Sequence, residues 1–113
     1  MPEAERTQSY ITELRRGSLV LAALGALRKP HYGYALLQVL QDKGIAIEAN
    51  TLYPLLRRLE SQGLLTSRWD TSETRPHKFY CISDNGKSVM TSLLDEWDKM
   101  SDQIAAICKE ETP

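Results

Sequence analysis

Between Asn50 and Ser61 the chain sets amide, hydroxyl, phenol and guanidinium groups beside a leucine repeat: Asn50, Thr51, Tyr53, Arg57 and Arg58, with Pro54 among them. Asparagine carries a paired donor and acceptor, and arginine a fork of donors, that match base edges, and arginine also grips phosphate oxygens in bidentate fashion. Asn50, Tyr53, Pro54, Arg57 and Ser61 fall on the side opposite the leucines, a polar, aromatic and cationic face that a DNA major groove accepts. The same pattern also fits an ordinary amphipathic helix with a solvated back. A second basic group, Arg68, Arg75, His77 and Lys78, is spaced to touch phosphate, or else to be solvated on a hairpin.

Other chemistries find little support. The two histidines, His31 on a loop and His77 on a strand, form no recognisable constellation with a serine, cysteine or carboxylate, so no catalytic residue is assigned. Cys81 and Cys108 are too few for a disulfide framework and lack metal-ligand spacing. They read as small buried hydrophobes in a reducing compartment. No metal and no cofactor are expected.

The elements that position the polar face follow from periodicity. Leu52, Leu55, Leu56 and Leu59 keep the i, i+3, i+4, i+7 spacing of one helical face. Proline suits a first helical turn, which puts the start near Asn50 or Thr51, either able to cap, with Gly63 as the stop. Upstream, residues 1–8 read as frayed. Residues 9–28 read as helix with a joint at Gly17-Ser18, the second piece apolar on most faces and ended by Lys29-Pro30. Gly33 opens another helix to about Asp42, and Ile45-Ala46-Ile47 is an extended bridge. Downstream, residues 64–70 alternate as a strand, residues 70–76 are turn chemistry, and residues 77–83 form a second strand. Ser83 caps a final helix reaching Cys108, roughly 37 Å long. That order is mainly α with a small β hairpin: a winged helix-turn-helix, residues 1–83, plus a long C-terminal helix, residues 84–113.

Length and charge are consistent with this. The 113 residues suffice for one domain with a modest core, and the 42% hydrophobic, 26% charged balance is that of a folded chain. Net charge is −1, yet six acids against Lys99 and Lys109 between Asp95 and Glu111 leave the remainder at +3. One end can meet phosphate while the other faces away. The polar N-terminus and the absence of any apolar run near ~20 residues point to a cytoplasmic protein with no membrane partner.

Residues 31–41, the run Thr51-Leu52-Tyr53-Pro54-Leu55-Leu56 with Arg58-Leu59-Glu60 and Gly63-Leu64, and the run from Arg75-Pro76 to Gly86-Lys87 resemble the PadR family of bacterial transcriptional regulators. The likeness spans roughly residues 14–90, and the single helix after the wing is similar to the short subfamily. It departs where the family often has glycine and arginine and this chain has Asn50 and His77. Asparagine tolerates left-handed backbone better than most residues. A neutral histidine weakens one phosphate contact. The resemblance adds Tyr34 to the DNA-facing set, and implies a dimeric repressor on double-stranded DNA, released by a small aromatic or amphipathic molecule.

Val89, Leu93, Trp97, Met100, Ile104 and Ile107 recur at spacings of 4, 4, 3, 4 and 3, a heptad-like seam for a homodimer, with Ile11 and Leu14 packed against it. A two-fold dimer sets two recognition helices about 34–36 Å apart on a palindromic operator. Trp97 near the two-fold axis is a candidate effector platform, surrounded by Leu93, Met100 and Asp98, or else simply fills the dimer core. The competing functional class is a winged helix that binds protein and has no effector.

Overall fold

The computed structural model describes residues 2–72 and 74–110. Met1, Glu73 in the expected turn, and residues 111–113, including the acidic Glu111, lie outside the described residues. The element order is α1 (Glu3–Arg16), α2 (Leu19–Ala26), β1 (His31–Tyr32), α3 (Gly33–Asp42), α4 (Ala49–Ser61), β2 (Leu65–Asp70), β3 (His77–Ile82) and α5 (Asp84–Cys108).

The N-terminus is helical from Glu3, where fraying had been expected. Glu3 and Glu5 in the first turn and Arg15 and Arg16 in the last complement the helix dipole, and the Arg6 amide reaches the Pro2 carbonyl at 3.1 Å. The joint at Gly17-Ser18 is where the sequence places it: Ser18 turns both its amide (3.0 Å) and its hydroxyl (2.7 Å) onto the Arg15 carbonyl.

The core is built where α2, α3 and α4 meet the sheet. Leu24, Leu27, Leu36, Leu52, Leu56 and Leu59 are its largest fully buried side chains, closed by Leu65, Tyr80 and Ile82 from the strands. Gly44 and Gly63, both at positive φ (88° and 79°), make the turns that end α3 and α4. These are left-handed conformations that cost glycine nothing. The hairpin is part of a larger sheet. His31-Tyr32, read from sequence as loop, pairs antiparallel with Tyr80 and Phe79, giving the strand order β1-β3-β2. Two residues with no alternation to display carry no period, so only the tertiary pairing reveals this strand.

Ser83 caps α5 as expected, its hydroxyl accepting from the Gly86 amide at 3.0 Å. Gly86 is buried because the Leu64 carbonyl passes over it; a Cβ there would lie 2.1 Å from that oxygen. Past this anchor α5 first packs against α2 and the core through Val89, Met90 and Leu93, and only then extends beyond it. The radius of gyration is 17.1 Å and the longest extent 63 Å, against about 13 Å for a compact chain of this length. α1 has no buried residue at all. Val89 and Leu93 pack half-buried against the core of their own chain, so the exposed part of the row on α5 comprises Trp97, Met100, Ile104 and Ile107.

Candidate nucleic-acid interface

α4 begins at Ala49, with Glu48 at the cap position and no side-chain cap. Asn50 and Thr51 therefore lie inside the helix and do not cap it. Pro54 falls in the second turn, not the first, and withholds the amide that would bond the Asn50 carbonyl. No non-glycine residue among those described has positive φ, so Asn50 is right-handed helical and its tolerance of left-handed backbone goes unused.

The leucines face in as the spacing predicts. The outer side divides into two flanks. Tyr53 and Arg57 turn toward the hairpin and, with Tyr34, Trp69, His77 and Lys78, line a cleft of about 410 Å³ between α4 and the sheet. Thr51, Pro54 and Arg58 turn the other way, along a shallow groove shared with Arg16, Leu19 and Val20. Asn50 is exposed at the helix start and Arg75 at the wing tip.

Tyr53 is half-buried, because Gly33 opens α3 without a side chain and the phenol ring lies against it; a Cβ on Gly33 would stand 2.7 Å from Tyr53 Cε1. Tyr34, 55% exposed, stacks on Tyr32 with centroids 5.4 Å apart, and Tyr32 stacks on Phe79 at 4.0 Å. His77 meets both tyrosine rings edge-on at 5.4 Å. The histidine expected at phosphate is thus built into an aromatic cluster.

Two carboxylates lock the wing. Glu60, at the end of α4, accepts from the Ser67 hydroxyl on β2 and from Lys78 Nζ on β3 at 2.9 Å. Ser67 first and then Lys78 hold the Glu60 carboxyl below its ordinary value, and Glu60 raises Lys78 in turn. Lys78, expected at phosphate, is therefore ion-paired within the protein, its ammonium 5.2 Å from the Tyr80 ring centroid and 5.9 Å from that of Trp69. Asp70 accepts from the Tyr32 hydroxyl and, at 3.0 Å, from the Ser72 amide; the tyrosine first and the serine second lower its carboxyl to about 2. Sequence reasoning gave no role to Glu60, Ser67, Tyr32 or Asp70. The opposite charges of Glu60 and Lys78 were the available signal, but 18 residues separate them and only the fold brings them together.

Trp97 lies elsewhere. It is 45% exposed and lines a separate cavity of about 400 Å³ with Leu14, Leu19 and Ile45, not with Leu93, Met100 or Asp98. Cys81 is half-buried and Cys108 exposed, so the second departs from the buried default. No helix among the described residues is long and apolar enough to cross a membrane, and no cluster there could hold a metal ion.

Three helices, a wing hydrogen-bonded back to the strand before the second of them, and an outward-facing third helix define a winged helix-turn-helix. Residues 20–92 match the profile of the Transcriptional regulator PadR-like family, and the chain belongs to that family. A crystal structure of a PadR family transcriptional regulator from Eggerthella lenta is similar with TM-score 0.91 and 47% identity, covering 97% of this chain and 96% of that one. An X-ray structure of a PadR-like transcription factor from Bacteroides fragilis gives TM-score 0.73 and 28% identity, over 88% of this chain and 98% of that one. A transcriptional regulator of Mycobacterium tuberculosis is 35% identical over 60 residues, 53% of this chain and 56% of its own length. The family and these neighbours are transcription regulators, not enzymes.

Proposed function

We propose that the chain is a sequence-specific, DNA-binding repressor that acts as a homodimer on a palindromic operator and is released by a small aromatic or amphipathic effector. The observation that carries the DNA-binding reading is the exposed side of α4, where Asn50 and Arg57 stand clear of the core beside Tyr53. Asn50, Thr51, Tyr53 and Arg57 meet base edges; Pro54 and Arg58 lie against the backbone at the flank. Tyr34 and Arg75 reach the neighbouring phosphates. An arginine paired with guanine contributes about 1–3 kcal/mol of discrimination. In genomic fragments selected by pull-down, Arg57→Ala should therefore lose at least about tenfold in affinity while thermal stability holds. Binding by Arg57→Ala equal to wild type would remove Arg57 from the reading set.

The homodimer is supported by α1. A 14-residue helix with no buried residue, and with Tyr10, Ile11 and Leu14 exposed, gains little from its own chain. The exposed row Trp97, Met100, Ile104 and Ile107 supplies a matching apolar surface on α5, continuing from Val89 and Leu93. The effector seats against Trp97, with Leu93, Met100 and Asp98 of the same helix as further contacts from outside the cavity that Trp97 lines in the single chain, and the carboxylate favours a cationic compound. With Trp69→Phe in place, Trp97 emission should quench saturably on titration with planar cationic or phenolic compounds, and operator binding should weaken in parallel. Titration to the solubility limit without quenching leaves Trp97 a core residue of the dimer.

The second reading, a winged helix that binds protein and has no effector, draws on the exposed aromatics Tyr34 and Trp69. Salt separates the two. Duplex binding falls steeply with salt through counterion release, whereas an apolar protein contact does not.

A further inference from the structure

The wing has a cation that is already engaged within the protein. Lys78 stands on β3 opposite Trp69 on β2 and lines the cleft with Tyr53 and Arg57 of α4. Its ammonium is held 2.9 Å from Glu60 Oε1, with side-chain exposures of 27% for Lys78 and 30% for Glu60. The other Glu60 oxygen takes the Ser67 hydroxyl. One carboxylate at the C-terminal end of α4 thus ties that helix to both strands of the wing.

The geometry is unlike that of the exposed ion pairs elsewhere in the molecule. Lys99–Asp95 and Lys87–Asp84 join neighbours on one helix and are mostly exposed (62%/66% and 60%/103%), so they fix nothing but their own turns. Glu60–Lys78 spans two elements, is partly shielded by the Trp69 and Tyr80 rings, and has a second bond to share its carboxylate. Such a bridge restricts the angle between helix and hairpin.

Building on the DNA-binding reading above, we propose that Glu60 is a positioning residue of the DNA face. Its carboxylate keeps Lys78 away from phosphate and uses the ion pair, with Ser67, to fix the angle between recognition helix and wing. Arg57 and Tyr34, which line the cleft, and Arg75 at the exposed wing tip are then presented to the duplex in one register. Lys78 contributes to sequence selectivity through shape and makes no counterion-releasing contact of its own.

The salt dependence of binding separates this from a direct phosphate contact, because each phosphate neutralised adds about 0.9 to the slope of log affinity against log salt. Binding of Lys78→Gln, Lys78→Arg and Glu60→Gln to a pull-down-selected duplex and to a random-sequence duplex would be measured across a salt series. Lys78→Gln should lose several-fold in cognate affinity with the wild-type slope, and Lys78→Arg should restore the loss. Glu60→Gln should lower cognate binding, raise random binding and steepen the slope by about one unit, as the released lysine finds phosphate. A slope reduced by about one unit in Lys78→Gln, or tighter cognate binding by Glu60→Gln, would overturn the assignment. A wild type whose duplex binding shows no salt dependence would instead sink the DNA-binding reading. Even then the bridge has its own measurement. In a Trp97→Phe background, acrylamide quenching of Trp69 should rise in Lys78→Gln and Glu60→Gln but not in Lys78→Arg; equal quenching in all three means that the bridge does not hold the wing.

Discussion

Replacing Gly33 with alanine puts one methyl group into the contact that seats α4. That methyl would lie 2.7 Å from Tyr53 Cε1 and 3.4 Å from Cδ1. Carbon atoms rest at about 3.5 Å or more, so the ring must retreat by about 0.8 Å or α3 and α4 must part. Overpacking of this kind costs about 1–3 kcal/mol. Alanine at a helical position offsets part of that, up to ~0.5–1 kcal/mol relative to glycine. The net loss is about 0.5–2 kcal/mol, and at roughly 4–8 °C per kcal/mol the melting temperature should fall by several degrees. The decisive comparison uses Tyr53→Ala. With the ring gone the methyl has room, so Gly33→Ala in that background should be neutral or slightly stabilising, giving a coupling of about 1–3 kcal/mol in the double-mutant cycle. Thermal unfolding followed by circular dichroism reads all four variants. If Gly33→Ala loses the same stability with and without the Tyr53 ring, the contact is not what glycine serves, and the account of why Tyr53 is half-buried fails.

Other glycines should respond with opposite signs. Gly86→Ala forces a Cβ to 2.1 Å from the Leu64 carbonyl, backbone that cannot yield, and should destabilise by about 3 kcal/mol or more; Gly17→Ala, helical at φ −66° with nothing within 4 Å, should stabilise by about 0.4–1 kcal/mol in the same melts. Asp70 should govern part of the acid limb of stability. Its carboxyl is lowered from 3.8 to about 2 in the folded state, so its contribution is complete above the unfolded value and is lost as pH falls through about 2. Tyr32→Phe removes the principal hydrogen bond, and the acid transition should begin at higher pH; an unchanged acid limb would detach Asp70 from Tyr32. Ending the chain after Gly86 removes the exposed row on α5 and should yield a monomer or an insoluble product in light scattering, whereas a soluble dimer would place the interface elsewhere.

The helices were legible because their periods are long. The leucines of α4, the glycine stops at Gly44 and Gly63, the joint at Gly17-Ser18 and the Ser83 cap each encode a local geometry that needs no distant partner. What escaped the sequence depends on contacts distant along the chain. β1 is two residues paired to a strand almost fifty positions away, and nothing in His31-Tyr32 advertises it. α4 starts at Ala49, one or two residues ahead of the start near Asn50 or Thr51 that proline's first-turn preference predicts, so Pro54 falls in the second turn. Residue type identified Lys78 as a cation on the wing; only packing shows that Glu60 already holds it. Likewise His77 was read by charge alone, and its aromatic setting needed β1 to be in place.

The strand order carries a kinetic consequence. Because β1 precedes α3 and pairs with β3, the sheet closes a loop that encloses α3, α4 and β2 together. Closing it requires partners far apart in sequence, so the helices have to form and collapse before the sheet's pairing repays its entropy. Once closed, the loop acts as a buckle. A protease that cuts between β2 and β3 severs the hairpin connection but leaves β3 stitched to β1 on one side and to β2 on the other. α4 stays fastened until the whole sheet opens, and slow amide exchange should therefore appear in α4 and β3 as one cooperative unit, not as a helix that melts ahead of its wing.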